Sequence, residues 1–189
     1  MSVFKRITIR KTYIIFMVMC VFFFSCTHKT KPQRTHIGPD RADIPILNSD
    51  SVTTLVSDSG ITRYRISAPK WLVYDKAEPS YWLFPSGLML EKFDEQMNID
   101  ASITADFAKY LDKEQLWELR GNVVAVNEQG EKFETPLFFW DQKTETVYSD
   151  SAITITRPSS VLRGIGFRGN QTLTQYTILN PTGYFPIED

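Results

Sequence analysis

From residue 50 onward, apolar and polar side chains alternate with a period of two. In ITRYRIS, Tyr64 and Ile66 alternate with Arg63 and Arg65. In NIDASITADF, Ile99, Ala101, Ile103, Ala105 and Phe107 alternate with Asp100, Ser102, Thr104 and Asp106, and TVYSDSAITITR repeats the habit with Val147, Ile153 and Ile155. Successive side chains leave a pleated strand on opposite sides, so this period predicts strands with one buried face. Turn-forming clusters punctuate them at Asp58-Ser59-Gly60, Pro85-Ser86-Gly87, Glu128-Gln129-Gly130, Pro158-Ser159-Ser160 and Pro181-Thr182-Gly183. One segment, FAKYLDKEQLWELRG (107–121), is rich in helix formers, with Leu116 and Leu119 well spaced for a helix face. An internal repeat argues instead for strand–turn–strand there, with the turn at Asp112-Lys113-Glu114.

The repeat pairs ADFAKYLDKEQLWELRGNVVAV with TPLFFWDQKTETVYSDSAITIT at an offset of 30 residues. Phe107 falls on Leu137, Tyr110 on Trp140, Trp117 on Val147 and Val123 on Ile153; a second shift carries Leu137 to Phe167. APKWLVYDKAEPSYWLFPSGLML is a looser first copy, with Tyr74-Asp75 in place of Trp140-Asp141. Each unit is an aromatic strand, a polar turn and a second strand, and a stack of such hairpins folds as a sandwich, jelly roll or barrel. PLFFWD is apolar on both faces: alternation sends Leu137 and Phe139 one way, Phe138 and Trp140 the other. Either both faces are covered, or one packs the fold while the other lines an apolar cleft.

The first 47 residues follow other rules. Lys5, Arg6, Arg10 and Lys11 precede an apolar run of twelve residues, Tyr13 to Phe24, and no acidic residue occurs in 1–25. A bilayer needs about 20 such residues in a helix, whereas a secretory signal needs about 7–15. Ser25-Cys26 at its end fits the small-residue–cysteine rule of bacterial lipoprotein signals, so residues 1–25 are expected to be a signal peptide and Cys26 a lipidation site. The alternative is an uncleaved N-terminal anchor. Residues 26–47 read as a flexible tether, with Lys29, Lys31, Arg34 and Arg41 suited to an anionic membrane surface. Residues 48–189 are expected to form one domain.

That domain has no cysteine, and both histidines, His28 and His36, lie in the tether. Histidine acid–base chemistry, Ser-His-Asp and Cys-His nucleophiles and most zinc sites are thereby removed, and no metal or cofactor is expected. Without the four basic residues of 1–25 the chain holds 17 Lys+Arg against 22 Asp+Glu, a net of −5, the wrong sign for nucleic acid. GIGFRG (164–169) matches G-x-G-x-x-G, but the alternating NQTLTQYTIL that follows is a strand rather than the helix a dinucleotide site requires. Carboxylates in EKFDE (91–95) and DKE (112–114) fall at turns or strand ends and read as solvated charge.

The opening SDSGITRYRISAPKWLVY, the strand LRGNVVAV and the late LRGIGF, together with the short anchor and an exported β domain of this size, resemble the LptC family over roughly residues 48–185. That family is the membrane-tethered periplasmic subunit of the lipopolysaccharide export transporter and shares the OstA-like fold. The resemblance implies an all-β, twisted jelly roll of antiparallel strands, open along one side, with an interior for lipid A acyl chains and no enzymatic activity. It implies partners too: the inner-membrane Lpt ABC transporter at the N-terminal edge and a bridge protein, LptA or its equivalent, at the C-terminal edge. Those edges would be Ser51–Val56 (Ser51, Val52, Thr53, Thr54, Leu55, Val56) and 171–179, with Thr174, Tyr176 and Ile178 as contacts. The expected location is the periplasmic face of the inner membrane. Because lipopolysaccharide and the domain are both anionic, affinity would come from acyl-chain burial at about 25 cal/mol per Å². Alternation nominates Ile66, Ile103, Phe107, Val123, Leu137, Phe139, Ile153, Ile155 and Phe167 as groove residues. A lipid-anchored jelly roll that binds or cleaves surface polysaccharide is the alternative; it would set aromatic platforms beside carboxylates.

Overall fold

The computed structural model describes residues 40–182. The expected signal peptide and the expected lipidation site at Cys26 lie outside the described residues. A 3₁₀ turn at Arg41–Asp43, capped by the Asp40 carboxylate accepting from the Ala42 N–H, leads into eleven strands. They are β1 (Leu47–Asp58), β2 (Ile61–Tyr74), β3 (Tyr81–Phe84), β4 (Leu88–Phe93), β5 (Ile99–Ala105) and β6 (Phe107–Leu111), then β7 (Leu116–Asn127), β8 (Lys132–Asp141), β9 (Thr146–Thr156), β10 (Val161–Asn170) and β11 (Tyr176–Thr182). Among the described residues no helix is long and apolar enough to cross a membrane.

Every pairing is antiparallel. From β11 the sheet runs through β10, β9 and β8 to β7, and there it divides. Leu116–Arg120 of β7 pairs with β6, while Val124–Asn127 pairs with β5. β2 divides likewise: Tyr64–Ser67 pairs with β4, Leu72–Tyr74 with β3. In β7 the split falls where the strand is interrupted near its middle. Extra residues interrupt the register at Gly121–Asn122 of β7, Pro136 of β8, Asp150–Ser151 of β9 and Gly166 of β10, so the bulges line up across neighbouring strands. Asp106, between β5 and β6, continues the line: its N–H donates to the Gly121 carbonyl (3.0 Å) and its carboxylate accepts from Asn122 Nδ2 (2.6 Å).

The line is a crease over which the sheet folds. Tyr176 lies opposite Gly169, which lies opposite Val147 on β9, whereas Arg157 stands ten residues along the chain from Val147. On a straight strand that interval is about 33 Å. Yet Arg157 Nε donates to the Tyr176 hydroxyl at 2.9 Å, so the two ends of the sheet meet. The result is the twisted β-jelly roll, all-β as its alternation predicts, with β1 and β11 each paired on one side only.

Crossing the crease also resets which residues face inward. Ile103 and Ala105 are buried before Asp106, then Ala108 and Tyr110 after it; Phe133 and Thr135 before Pro136, then Phe138 and Trp140. One inserted residue moves every later side chain to the other face. In β7 and β9 two residues are inserted and the phase survives, as in Trp117, Leu119, Val123, Ala125 and in Val147, Ser149, Ile153, Ile155.

The tight turns fall where the sequence marks them at 58–60, 85–87, 128–130 and 158–160, and residues 107–121 are strand–turn–strand. Pro181-Thr182-Gly183 differs: Pro181 and Thr182 belong to β11, and Gly183 lies outside the described residues. GIGFRG lies within β10, where a Cβ at Gly164 would sit 2.7 Å from the Asn180 carbonyl oxygen. That glycine admits β11 to close range, a role in packing rather than phosphate binding.

Candidate functional site: the interior between the sheet halves

The inward side chains form one apolar interior with two differently furnished ends. At one end Trp71, Trp82, Phe84, Tyr110, Trp117 and Trp140 pack ring to ring. Trp71 and Trp82 have centroids 5.1 Å apart, Trp82 and Tyr110 4.9 Å, Tyr110 and Trp117 4.8 Å, and Tyr64 meets Trp140 edge-on at 5.5 Å. At the other end Phe133 meets Tyr176 edge-on at 4.9 Å, and Phe138 packs on Phe167 at 5.6 Å. Leu90, Ile103, Ala125 and Val147 join them. The indole N–H groups of Trp71, Trp117 and Trp140 are buried without an acceptor among the described residues. Each such donor costs about 1–3 kcal/mol relative to a satisfied one.

Two small cavities remain. One, about 80 Å³, lies among Tyr64, Ile66, Trp82, Leu90, Trp117 and Trp140. The other, about 30 Å³, lies among Leu90, Ile103, Ala125, Phe138, Trp140 and Leu173. Lys92 stands at the rim of the smaller one, ion-paired with Asp100. Burial of this ammonium lowers its pKa below the ordinary lysine value, and the Arg63 guanidinium nearby pushes the same way. Burial likewise raises the phenols of Tyr64, Tyr110 and Tyr176, which stay neutral through the physiological range. No carboxylate lines either cavity.

Of the nine residues nominated by alternation, Ile66, Ile103, Val123, Ile153, Ile155 and Phe167 are buried between the halves. Phe107, Leu137 and Phe139 are not: they are half-buried on the outer face, because the insertions at Asp106 and Pro136 invert the phase. There Phe139 stacks on Tyr148 at 5.1 Å, and the Arg120 guanidinium lies over Phe107. Alternation missed Phe138, Trp140, Trp117 and Leu173 as interior residues. Reading Pro136 as a bulge would have recovered the first two; Leu173, on a turn, carries no periodic signal.

The terminal strands differ in detail from expectation. Ser51–Val56 lies in β1, with Val52 and Thr54 half-buried and Ser51, Thr53, Leu55 and Val56 exposed. At the other end only Tyr176 and Ile178 lie in β11; Thr174 belongs to the preceding turn, where its N–H is held by Asn170 Oδ1. Asn170 N–H donates to the Gln175 carbonyl at 3.0 Å, which makes that pair a hydrogen-bonded one. Alternation then turns the backbone groups of Tyr176 and Ile178 toward the free edge and those of Thr177 toward β10.

A family model described as "Lipopolysaccharide-assembly, LptC-related" matches residues 12–184, nearly the whole chain. The chain belongs to this family. LptC-related proteins are transport components, and membership gives the chain a role in lipopolysaccharide transport, on the periplasmic side and associated with the inner membrane. No curated protein matches the chain in sequence. Within this family the apolar interior and the two terminal strands are the features to account for.

Proposed function

We propose that the domain receives lipopolysaccharide drawn from the inner membrane by the ABC transporter and passes it to the periplasmic bridge, with the acyl chains held between the sheet halves. The observation that carries this reading is the interior itself: apolar and aromatic from Trp71 to Tyr176, with cationic Lys92 at the rim and no carboxylate lining its cavities. Apolar walls bind acyl chains by area, about 0.8 kcal/mol per buried methylene, and without directional bonds that would stop a chain from sliding. An acyl ester carbonyl at the aromatic end would give the orphaned indole N–H groups the acceptor they lack. In this reading the free edges of β1 and β11 meet the transporter and the bridge protein respectively by adding strands, and Cys26 carries the lipid that holds the domain at the membrane. The polysaccharide alternative gains nothing from the site: Glu91 is buried against Arg65, and Asp112–Glu114 is an exposed turn.

In-cell photocrosslinking tests the reading, with a benzophenone side chain at each position from 137 to 140 in turn. Lipopolysaccharide should be captured at Phe138 and Trp140 and not at Leu137 or Phe139. Capture at none of the four, with the protein folded and exported, overturns it.

A further inference from the structure

The interior is nearly filled in this structure. A dry cavity of about 150 Å³ accommodates a six-carbon ring, and the two cavities, at about 80 and 30 Å³, fall short of that even together. A long acyl chain therefore has no seat until something leaves. Strands are poor candidates to leave, since each is fixed by a ladder of backbone bonds. One inward side chain, however, comes from no strand.

That side chain is Leu173. It sits on the segment between β10 and β11, residues 171–175, and is only 2% exposed, fully inside the interior cluster and on the wall of the smaller cavity. The segment is a strap across the cleft. At one end the Gln171 N–H donates to the Glu145 carbonyl (2.9 Å), beside the start of β9. Asn127, at the end of β7 and beyond the crease, donates from Nδ2 to the Leu173 carbonyl (3.0 Å). The strap is internally shaped by Asn170, whose carbonyl accepts from Leu173 N–H and whose Oδ1 accepts from Thr174 and Gln175. Leu173 holds a φ of +58°, a region that a branched side chain adopts only under constraint. A leucine is thus forced into a strained backbone conformation so that its isobutyl group can fill apolar space among Leu90, Phe138 and Trp140.

We propose that Leu173 is a built-in stand-in for an acyl chain: the strap is a plug, and lipid and Leu173 compete for one seat. This rests on the lipid-conduit reading above and adds to it the element that opens. The plug keeps the apolar interior from water and from unspecific lipid while the conduit is empty. Its release recovers the strain at Leu173 and breaks few bonds, so an entering chain displaces it without unzipping a strand. The strap leads directly into β11, so opening alters the edge proposed to meet the bridge protein, and loading is thereby coupled to hand-over.

The test uses the full-length chain in cells, with the benzophenone side chain at Trp140 reporting lipopolysaccharide. A Gln171→Cys/Glu145→Cys pair locks the strap. Antiparallel residues joined by such a backbone bond stand about 5 Å apart at Cα, within the roughly 4.4–6.8 Å span of a disulfide. The oxidised lock should lower the adduct about tenfold, with recovery on reduction, and Leu173→Gly should raise it, by removing both the plug and its hold on the closed state. Either single cysteine variant should behave as the parent. Undiminished adduct in the oxidised lock overturns the plug and leaves the conduit reading intact. Absence of adduct in the parent, the reduced lock and Leu173→Gly alike overturns the conduit reading, and the plug with it.

Discussion

Phe138 and Phe139 are adjacent, chemically identical and, by the inverted phase of β8, on opposite faces. Truncating each to alanine separates the two faces quantitatively. Phe138 is 2% exposed, packs on Phe167 and walls the smaller cavity, so Phe138→Ala removes a buried ring and enlarges a void. Buried Phe→Ala changes cost about 3–5 kcal/mol. Phe139→Ala forfeits one stacked pair with Tyr148 on a half-buried surface, about 1 kcal/mol. With a urea dependence of about 2 kcal/mol per molar, the unfolding midpoint should fall by about 2 M for Phe138→Ala and about 0.5 M for Phe139→Ala. Urea titration followed by tryptophan fluorescence measures both. Equal losses, or a larger one at Phe139, would refute the phase inversion at Pro136 and return the outer face to candidacy as the groove.

Other expectations follow from single residues. Gly87→Ala places a Cβ 2.5 Å from the Ala105 carbonyl oxygen at a φ of +84°, and should cost about 2 kcal/mol or more, read as a lowered urea midpoint. Hydrogen bonds from Asn98 and Gln96 hold the Asp94 carboxyl below its ordinary value of 3.8. A carboxyl with a lowered folded pKa stabilises above its unfolded pKa and loses that contribution as pH falls through the folded one. The stability gap between the parent and Asp94→Ala should accordingly be constant near neutrality and shrink below about pH 4; a gap that persists at pH 2 would contradict the assignment. Cys26→Ser should abolish incorporation of radiolabelled palmitate and leave an uncleaved precursor on gels, whereas unchanged labelling would place the lipid elsewhere.

The strands were legible in the sequence because alternation is a direct imprint of a half-buried pleat, and the 30-residue echo removed the helical ambiguity at 107–121. Tyr110 and Trp140, matched by that echo, do occupy equivalent inward positions, as do Val123 and Ile153. Phe107, Leu137 and Phe139 went astray for one physical reason. Alternation propagates only as long as no residue is inserted, and Asp106 and Pro136 each insert one. Proline in an otherwise apolar strand is itself a bulge signal, so the cue was present at Pro136. Leu173 was not legible at all: its burial depends on a turn folding back over a crease, and nothing local to NQTLTQ encodes that.

The aligned bulges have a consequence for assembly. β7, β8, β9 and β10 each contribute a small bend, so the fold line belongs to the sheet and not to any closing loop, and at Gly166 it stands one strand from the β11 border. A partner sheet joined at either border continues the same channel only if its own bends fall in line with these. Pairing displaced by two residues would keep every backbone bond and the same side-chain faces while offsetting the passage by about 7 Å. Compatibility between successive segments is then a matter of bore alignment, enforced by where Gly121, Pro136 and Gly166 interrupt their strands and not by the chemistry of the side chains at the joint.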